Sequence, residues 1–334
     1  MLRILTGLLL LVLAGRALAE ACEFPQHDLN ALPPTDGAPV EVDIQLYMSD
    51  LTGIEDAEQS FAADLFVRAR WTDPRLAHRG SQPCSVAETA IWTPALQLLN
   101  RRKLERVRVP ELSVAPDGRV TRRVRVYGDF SFRADLSDFP FDDQELRFIL
   151  VAEYGVEDVK LVARAEKLGM GETLSVTNWN VQLDGSYPSE HYVTSEDRSR
   201  SRLDVIFKAQ RLTGFYTWQL LVPLFLVVMM TWTVFWMPLE FVAPRVGLVA
   251  TSMLTLIAYR FSMASILPPI AYLTRLDQFM VASSLLVFAA LASAVAVTWL
   301  EGRGDANRAM ALNTASRALA PLLFLAVFVR VFVL

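Results

Sequence analysis

Apolar positions follow two different rhythms along this chain. Val40, Val42, Ile44, Leu46 and Met48 alternate with Glu41, Asp43 and Gln45. That is the period of a strand with one buried face. Residues 63–71, 144–154 and 203–211 repeat the alternation, and Pro116-Asp117-Gly118 is a turn feeding another strand at 120–127. Many short strands with turn signals, and no helix-period stretch among them, predict an immunoglobulin-like β-sandwich. From residue 212 onward the rhythm is replaced by unbroken apolar runs. Residues 212–239 and 278–300 carry no charge, and 318–334 only Arg330, near the end where it can snorkel. Residues 246–267 contain Arg260 and many small or hydroxyl residues, which suits a place inside a bundle. A bilayer core needs ~20 apolar residues per helix, so three of the four runs fit as lipid-facing. The expectation is a four-helix transmembrane bundle with spans at about 214–237, 246–267, 277–300 and 315–334.

The charges divide in the same way. Residues 20–211 hold 23 of the 32 basic and 32 of the 36 acidic residues. An acidic, polar half is therefore joined to an apolar half, which excludes a disordered chain and a basic nucleic-acid reader. Residues 1–19 read as a secretory signal: Arg3, an apolar core at 8–13, then Ala17-Leu18-Ala19 before the cut. The division is then 1–19 signal, 20–211 sandwich outside the cytoplasm, and 212–334 membrane domain, with both termini outside. Cys22 and Cys84 are the two cysteines; in an oxidising compartment they can pair or stand as separate thiols. Neither they nor the three histidines have metal-ligand spacing. Gly-x-Ser-x-Gly, phosphate loops and paired catalytic carboxylates are absent from the sequence, so no enzyme, cofactor or metal is expected.

Trp71-Thr72-Asp73, Trp92-Thr93-Pro94 with Asn100, Phe139-Pro140-Phe141-Asp142-Asp143-Gln144, Gln210-Arg211-Leu212, Pro223 within the first span and Leu267-Pro268 after the second occur in that order. With four spans behind them, these motifs closely resemble the pentameric ligand-gated ion channels, the Cys-loop receptor superfamily. The loop disulfide is missing, since Phe132 and Leu146 stand where its cysteines would be. That and the short third connection are similar to prokaryotic members. The resemblance implies a homopentamer in a bacterial inner membrane, in contact with lipid, passing inorganic ions. A small-molecule agonist would bind between sandwiches, and the second helix would line the pore.

On a 3.6-residue helix, Gly247, Thr251, Leu254, Ala258, Phe261 and Ser265 form one stripe. As a pore lining, Thr251 offers hydroxyls to a hydrated ion, while rings of Leu254 and Phe261 can dewet and close. Arg260 falls on the opposite side, against a neighbouring helix or an interfacial cavity. The selectivity residues are Arg245 and Glu240. A ring of Arg245 at the inner mouth favours anions, and the Arg-Val-Gly-Leu run is similar to glycine-receptor-type channels. Glu240 folded back to the mouth, or Arg245 turned away, favours cations.

For the agonist, the resemblance points to Phe66 and Tyr127 on one face, and to Glu153 or Tyr154 with His191 and Tyr192 on the other. Aromatics with Glu153 suit an amine, the slightly favoured class; Arg198, Arg200 and Arg202 suit a carboxylate; His191 suits proton gating. Coupling to the pore would run through Arg211, with Asp56, Glu55 or Asp142 as its acid, the Phe139-Pro140 turn, and Pro268. The readings to separate are an anion channel, a cation channel gated by a ligand or by protons, and a non-conducting periplasmic sensor.

Overall fold

The computed structural model describes residues 24, 28–35, 37–106, 111–263 and 267–333. The proposed signal, Cys22 and Ser265 lie outside them. Cys84 is disulfide-bonded, and the sequence holds one other cysteine.

Among the described residues twelve strands form the polar half: β1 (Val40–Glu55), β2 (Ser60–Thr72), β3 (Cys84–Val86), β4 (Gln97–Leu98), β5 (Arg101–Arg106), β6 (Glu111–Val114), β7 (Arg119–Ser131), β8 (Asp143–Gly155), β9 (Val159–Ala163), β10 (Gly169–Met170), β11 (Trp179–Val193) and β12 (Arg198–Arg211). The larger sheet runs β10-β1-β2-β7-β6-β3, with β5 on β7 and β9 on β1; the smaller runs β11-β12-β8-β4. Alternating apolar side chains from both sheets meet between them. Phe61 stacks on Phe130 at 5.5 Å, Phe130 meets Phe148 at 4.9 Å, and Phe148 meets Phe207 at 5.8 Å. This line of rings crosses from β2 and β7 to β8 and β12. Asn100 ties the sheets a second time, donating from Nδ2 to the carbonyls of Ser131 and Arg147.

Two strands outrun their sequence pattern. β1 continues past Met48 because bulges between Met48 and Asp50, and between Leu51 and Gly53, shift the alternation without ending the ladder. Residues 195–202 have the charge of a solvated loop, yet 198–202 are strand: His191 pairs with Arg200 and Tyr192 with Ser199. The hairpin turns at 194–197, where Asp197 takes a positive φ of 50°, a conformation aspartate tolerates.

β12 runs into the first of four helices, α1 (Gly214–Trp236), α2 (Val242–Met263), α3 (Arg275–Gly302) and α4 (Ala306–Phe332), all long and apolar enough to cross a membrane. α1 makes one wide turn at Thr217–Leu221, just before Pro223, which has no N–H to give its ladder. A Thr274–Asp277 capping box starts α3. α4 begins at Ala306, earlier than the apolar run at 315, because polar residues such as Asn307, Arg308 and Asn313 continue its helix beyond the apolar stretch.

Candidate functional site

The face of α2 carrying Gly247, Thr251, Leu254, Ala258 and Phe261 is exposed on the protomer. Leu254 is 67% and Phe261 76% accessible. The opposite face, with Val249, Ser252, Leu256 and Met263, is buried in the protomer's own bundle. Thr251 spends its hydroxyl proton on the Gly247 carbonyl at 2.8 Å, leaving its oxygen lone pairs outward.

Arg245 stands on the buried side, and this corrects its expected place at the mouth. Two residues from Gly247 is a rotation of ~200° on a helix, so both cannot face one axis. Its side chain is 1% accessible and donates from Nη2 to Asn313 Oδ1 at 2.6 Å. Asn313 Nδ2 and Arg317 Nε both donate to the Phe235 carbonyl. Arg245 thus fastens α2 to α4 and the end of α1. Glu240 is exposed in the α1–α2 connection.

The expected agonist residues fall into two groups that one protomer does not bring together. Phe66 on β2 and Tyr127 on β7 stand outward on the larger sheet, 44% and 39% accessible. Glu153 and Tyr154 lie on β8, and His191 and Tyr192 on β11, in the smaller sheet. Glu153 is exposed, whereas Tyr154 is half-buried against Trp92 at 5.3 Å. Tyr192 donates its hydroxyl to Asp197. A cavity of about 270 Å³ beside Phe66 is lined by Tyr47, Arg68, Arg123, Arg125 and Lys167, among others, and by nothing from β8 or β11.

Charge in this cavity is unbalanced. Arg125 lies over the Phe66 ring at 4.8 Å and forks onto Asp64; Lys167 pairs with Asp43. Among the described residues Arg68 holds the neutral Gln45 Oε1 at 3.0 Å. Burial first, then Arg123 and Arg70, push its guanidinium below its ordinary value. The arginines of the β11–β12 hairpin, by contrast, already have acids: Arg198 and Arg200 hold Glu196, and Arg202 forks onto Asp204.

Where β12 meets α1, Arg211 is enclosed. It donates from Nε and Nη2 to Asp142 at 2.8 and 2.9 Å, from Nη1 and Nη2 to Asp56 at 2.8 and 3.0 Å, and from Nη1 to the Tyr216 hydroxyl at 3.1 Å. Its guanidinium also sits 4.1 Å from the Trp179 ring and 5.0 Å from that of Phe139. Burial alone would lower its pKa; the bonds to Asp142 and Asp56 outweigh that and hold it above its ordinary value. Asp56, Asp142 and Arg211 come together as expected, and Glu55, the exposed last residue of β1, does not. Trp179 and Tyr216 were missed; the aromatic residues just after β12 and at the start of its partner strand were the available signal.

The turn holding Phe139 and Pro140 is seated on the start of α3. Leu136 N donates to the Tyr272 hydroxyl at 2.9 Å, Arg275 N to the Ser137 carbonyl at 3.0 Å, and Arg275 Nε to Asp138 at 2.7 Å. Pro268 is buried in the α2–α3 connection.

This architecture has relatives. Residues 23–213 match the neurotransmitter-gated ion-channel ligand-binding domain, and residues 220–328 the neurotransmitter-gated ion-channel transmembrane region. The chain is 25% identical over 305 residues to the proton-gated ion channel of Gloeobacter violaceus, an overlap covering 90% of this chain and 84% of that protein. An exterior sandwich joined through Arg211 to four membrane helices, matched in both halves, makes this chain a member of the pentameric ligand-gated ion channels.

Proposed function

We propose that five copies of this chain form a cation-selective channel whose pore is lined by Gly247, Thr251, Leu254, Ala258 and Phe261 of α2. The observation that carries the reading is the two-sidedness of α2, with one face packed into its own bundle and the other bare. The bare face holds Thr251, a hydroxyl for which a helix facing only lipid has no use, beside the apolar side chains of Leu254 and Phe261 that a gate would use. Of the two supports for the anion reading, the ring of Arg245 and the Arg-Val-Gly-Leu run, the burial of Arg245 weakens the first. Glu240 is then the ionisable side chain exposed between α1 and α2. Five of them at the inner mouth would attract cations, as would the acidic outer half.

The agonist sits between Phe66 and Tyr127 of one subunit and Glu153, Tyr154, His191 and Tyr192 of the next. Arg68, bonded to the neutral Gln45 and sharing the cavity beside Phe66 with Arg123, favours an agonist carrying an acid group over the amine that the aromatics alone suggested. Protons are the second reading, favoured by the likeness to a proton-gated channel. Movement reaches the pore through the Arg211 cluster and the turn bonded to Tyr272 and Arg275.

Reconstituted protein under asymmetric chloride tests all of this. Currents reversing at the sodium or potassium potential are expected. Reversal at the chloride potential would refute cation selectivity. Silence to small acids, amines and pH steps alike would leave a non-conducting sensor.

A further inference from the structure

Polar side chains pin α2 to its own bundle at two heights. Arg245 fastens the inner end to Asn313 of α4. Tyr259 lies ~21 Å further along the helix, half-buried against the bundle. It follows Ser252 and Leu256 on the packed face, by steps of seven and three residues. Its hydroxyl crosses to α1, where it donates to the Leu220 carbonyl at 2.7 Å, with the Gln219 carbonyl at 3.2 Å as a second acceptor.

Those two carbonyls belong to the break in α1. Within the wide turn Thr217–Leu221, Val222 N reaches back five residues to the Thr217 carbonyl, and Pro223 has no N–H to give to Gln219, four residues back. Hydrocarbon offers no water to a freed carbonyl, so a neighbouring helix must serve it. Tyr259 is that neighbour. A hydroxyl at the end of a rigid ring reaches α1 over a narrow range of α2 rotations, so the bond sets an angle as well as a distance. We infer that Tyr259 is a positioning residue of the pore helix, holding the rotation that turns Leu254, Ala258 and Phe261 to one side. The wide turn follows directly on Tyr216, whose hydroxyl accepts from Arg211. The outer end of α2 is thereby tied to the same stretch of chain that enters the Arg211 cage. This role rests on the pore reading of α2, whereas the bond itself does not.

The test uses the purified pentamer in phosphatidylcholine vesicles and needs no current. Ala258→Cys, Thr255→Cys and Ile257→Cys are made one at a time, and their modification by a membrane-impermeant methanethiosulfonate is timed by mass spectrometry. Position 258 lies on the stripe, and 255 and 257 flank it on either side. Fast modification at 258 and slow modification at 255 and 257 are expected. Adding Tyr259→Phe, which keeps the ring and removes the hydroxyl, should raise a flanking rate roughly tenfold, with each variant checked for pentamer assembly by size exclusion. Tyr259→Phe should also melt about 2–4 °C lower, the effect of one lost hydrogen bond. Beside Pro223→Ala, whose new N–H lets the wide turn close on its own carbonyls, that loss should shrink by more than half. Flanking rates unchanged by Tyr259→Phe, or equal melting losses with and without Pro223, would overturn the inference. Slow modification at 258 with Tyr259 in place would instead overturn the pore reading, and the melting comparison would still decide the bond.

Discussion

Replacing Arg211 with glutamine removes one cation from between two carboxylates. Asp56 is 9% and Asp142 3% accessible, so neither can be solvated where it stands. Five hydrogen bonds are lost at once, along with the aromatic contacts at 4.1 and 5.0 Å. Breaking a buried ion pair from one side costs about 3–5 kcal/mol, mostly because the other charge is stranded. At about 2–4 °C per kcal/mol for a domain of this size, the outer half should melt roughly 6–20 °C lower. The assay is thermal unfolding of the purified pentamer, followed by tryptophan fluorescence. If stranded charge is the cause, Arg211→Gln combined with Asp56→Asn and Asp142→Asn should be more stable than Arg211→Gln alone. A single variant melting within two degrees of the wild type, or a triple variant no better than the single, refutes the reasoning. Gating unchanged in Arg211→Gln at normal surface assembly refutes its coupling role.

Arg245→Met should leave the reversal potential within a few millivolts of wild type, because its head faces Asn313 rather than the pore; a clear shift would put charge back at the mouth. Leu254→Ser places a hydroxyl where an apolar ring would close, so leak current without agonist should rise in single-channel recordings. Asp50 accepts from Ser175 N and Oγ at 2.7 and 2.6 Å; desolvation opposes, but these bonds prevail and hold its pKa below the ordinary 3.8. Its contribution is therefore fully present above pH 3.8 and is lost as pH falls through the lower folded value. The melting-temperature gap between wild type and Ser175→Ala should be constant from pH 7 to 5 and shrink below about 4; a gap that widens on acidification refutes the assignment.

The sandwich was readable because each strand has one wet and one dry face, so alternation alone reports it. The bulges in β1 were not, since a bulge breaks the alternation that marks a strand. The α2 stripe was readable for the same reason as the strands, and it already implied that Arg245 lies ~200° from Gly247, on the side that packs against Asn313 of α4. The acids around Arg211 were narrowed by sequence to three and by packing to two. Trp179 and Tyr216 approach Arg211 only because β11 pairs with β12 and the chain bends at residue 213, facts that no local pattern carries. The cationic surroundings of Phe66 come from three strands side by side, with Tyr47, Phe66 and Arg125 in one row, a juxtaposition invisible until the register is known.

β12 is a 14-residue strand with Arg198 at the hairpin tip and Arg211 in the acid cage, a span of ~45 Å at strand rise. One continuous ribbon thus fixes both ends, and its arithmetic is strict. Inserting a single residue midway would turn Arg211 to the opposite face and leave Asp56 and Asp142 without their counter-charge. Removing two would restore the facing but draw the tip inward by ~7 Å. A change in length between tip and cage must therefore be taken up by a bulge, as between Arg200 and Arg202, if Arg211 is to keep its acids.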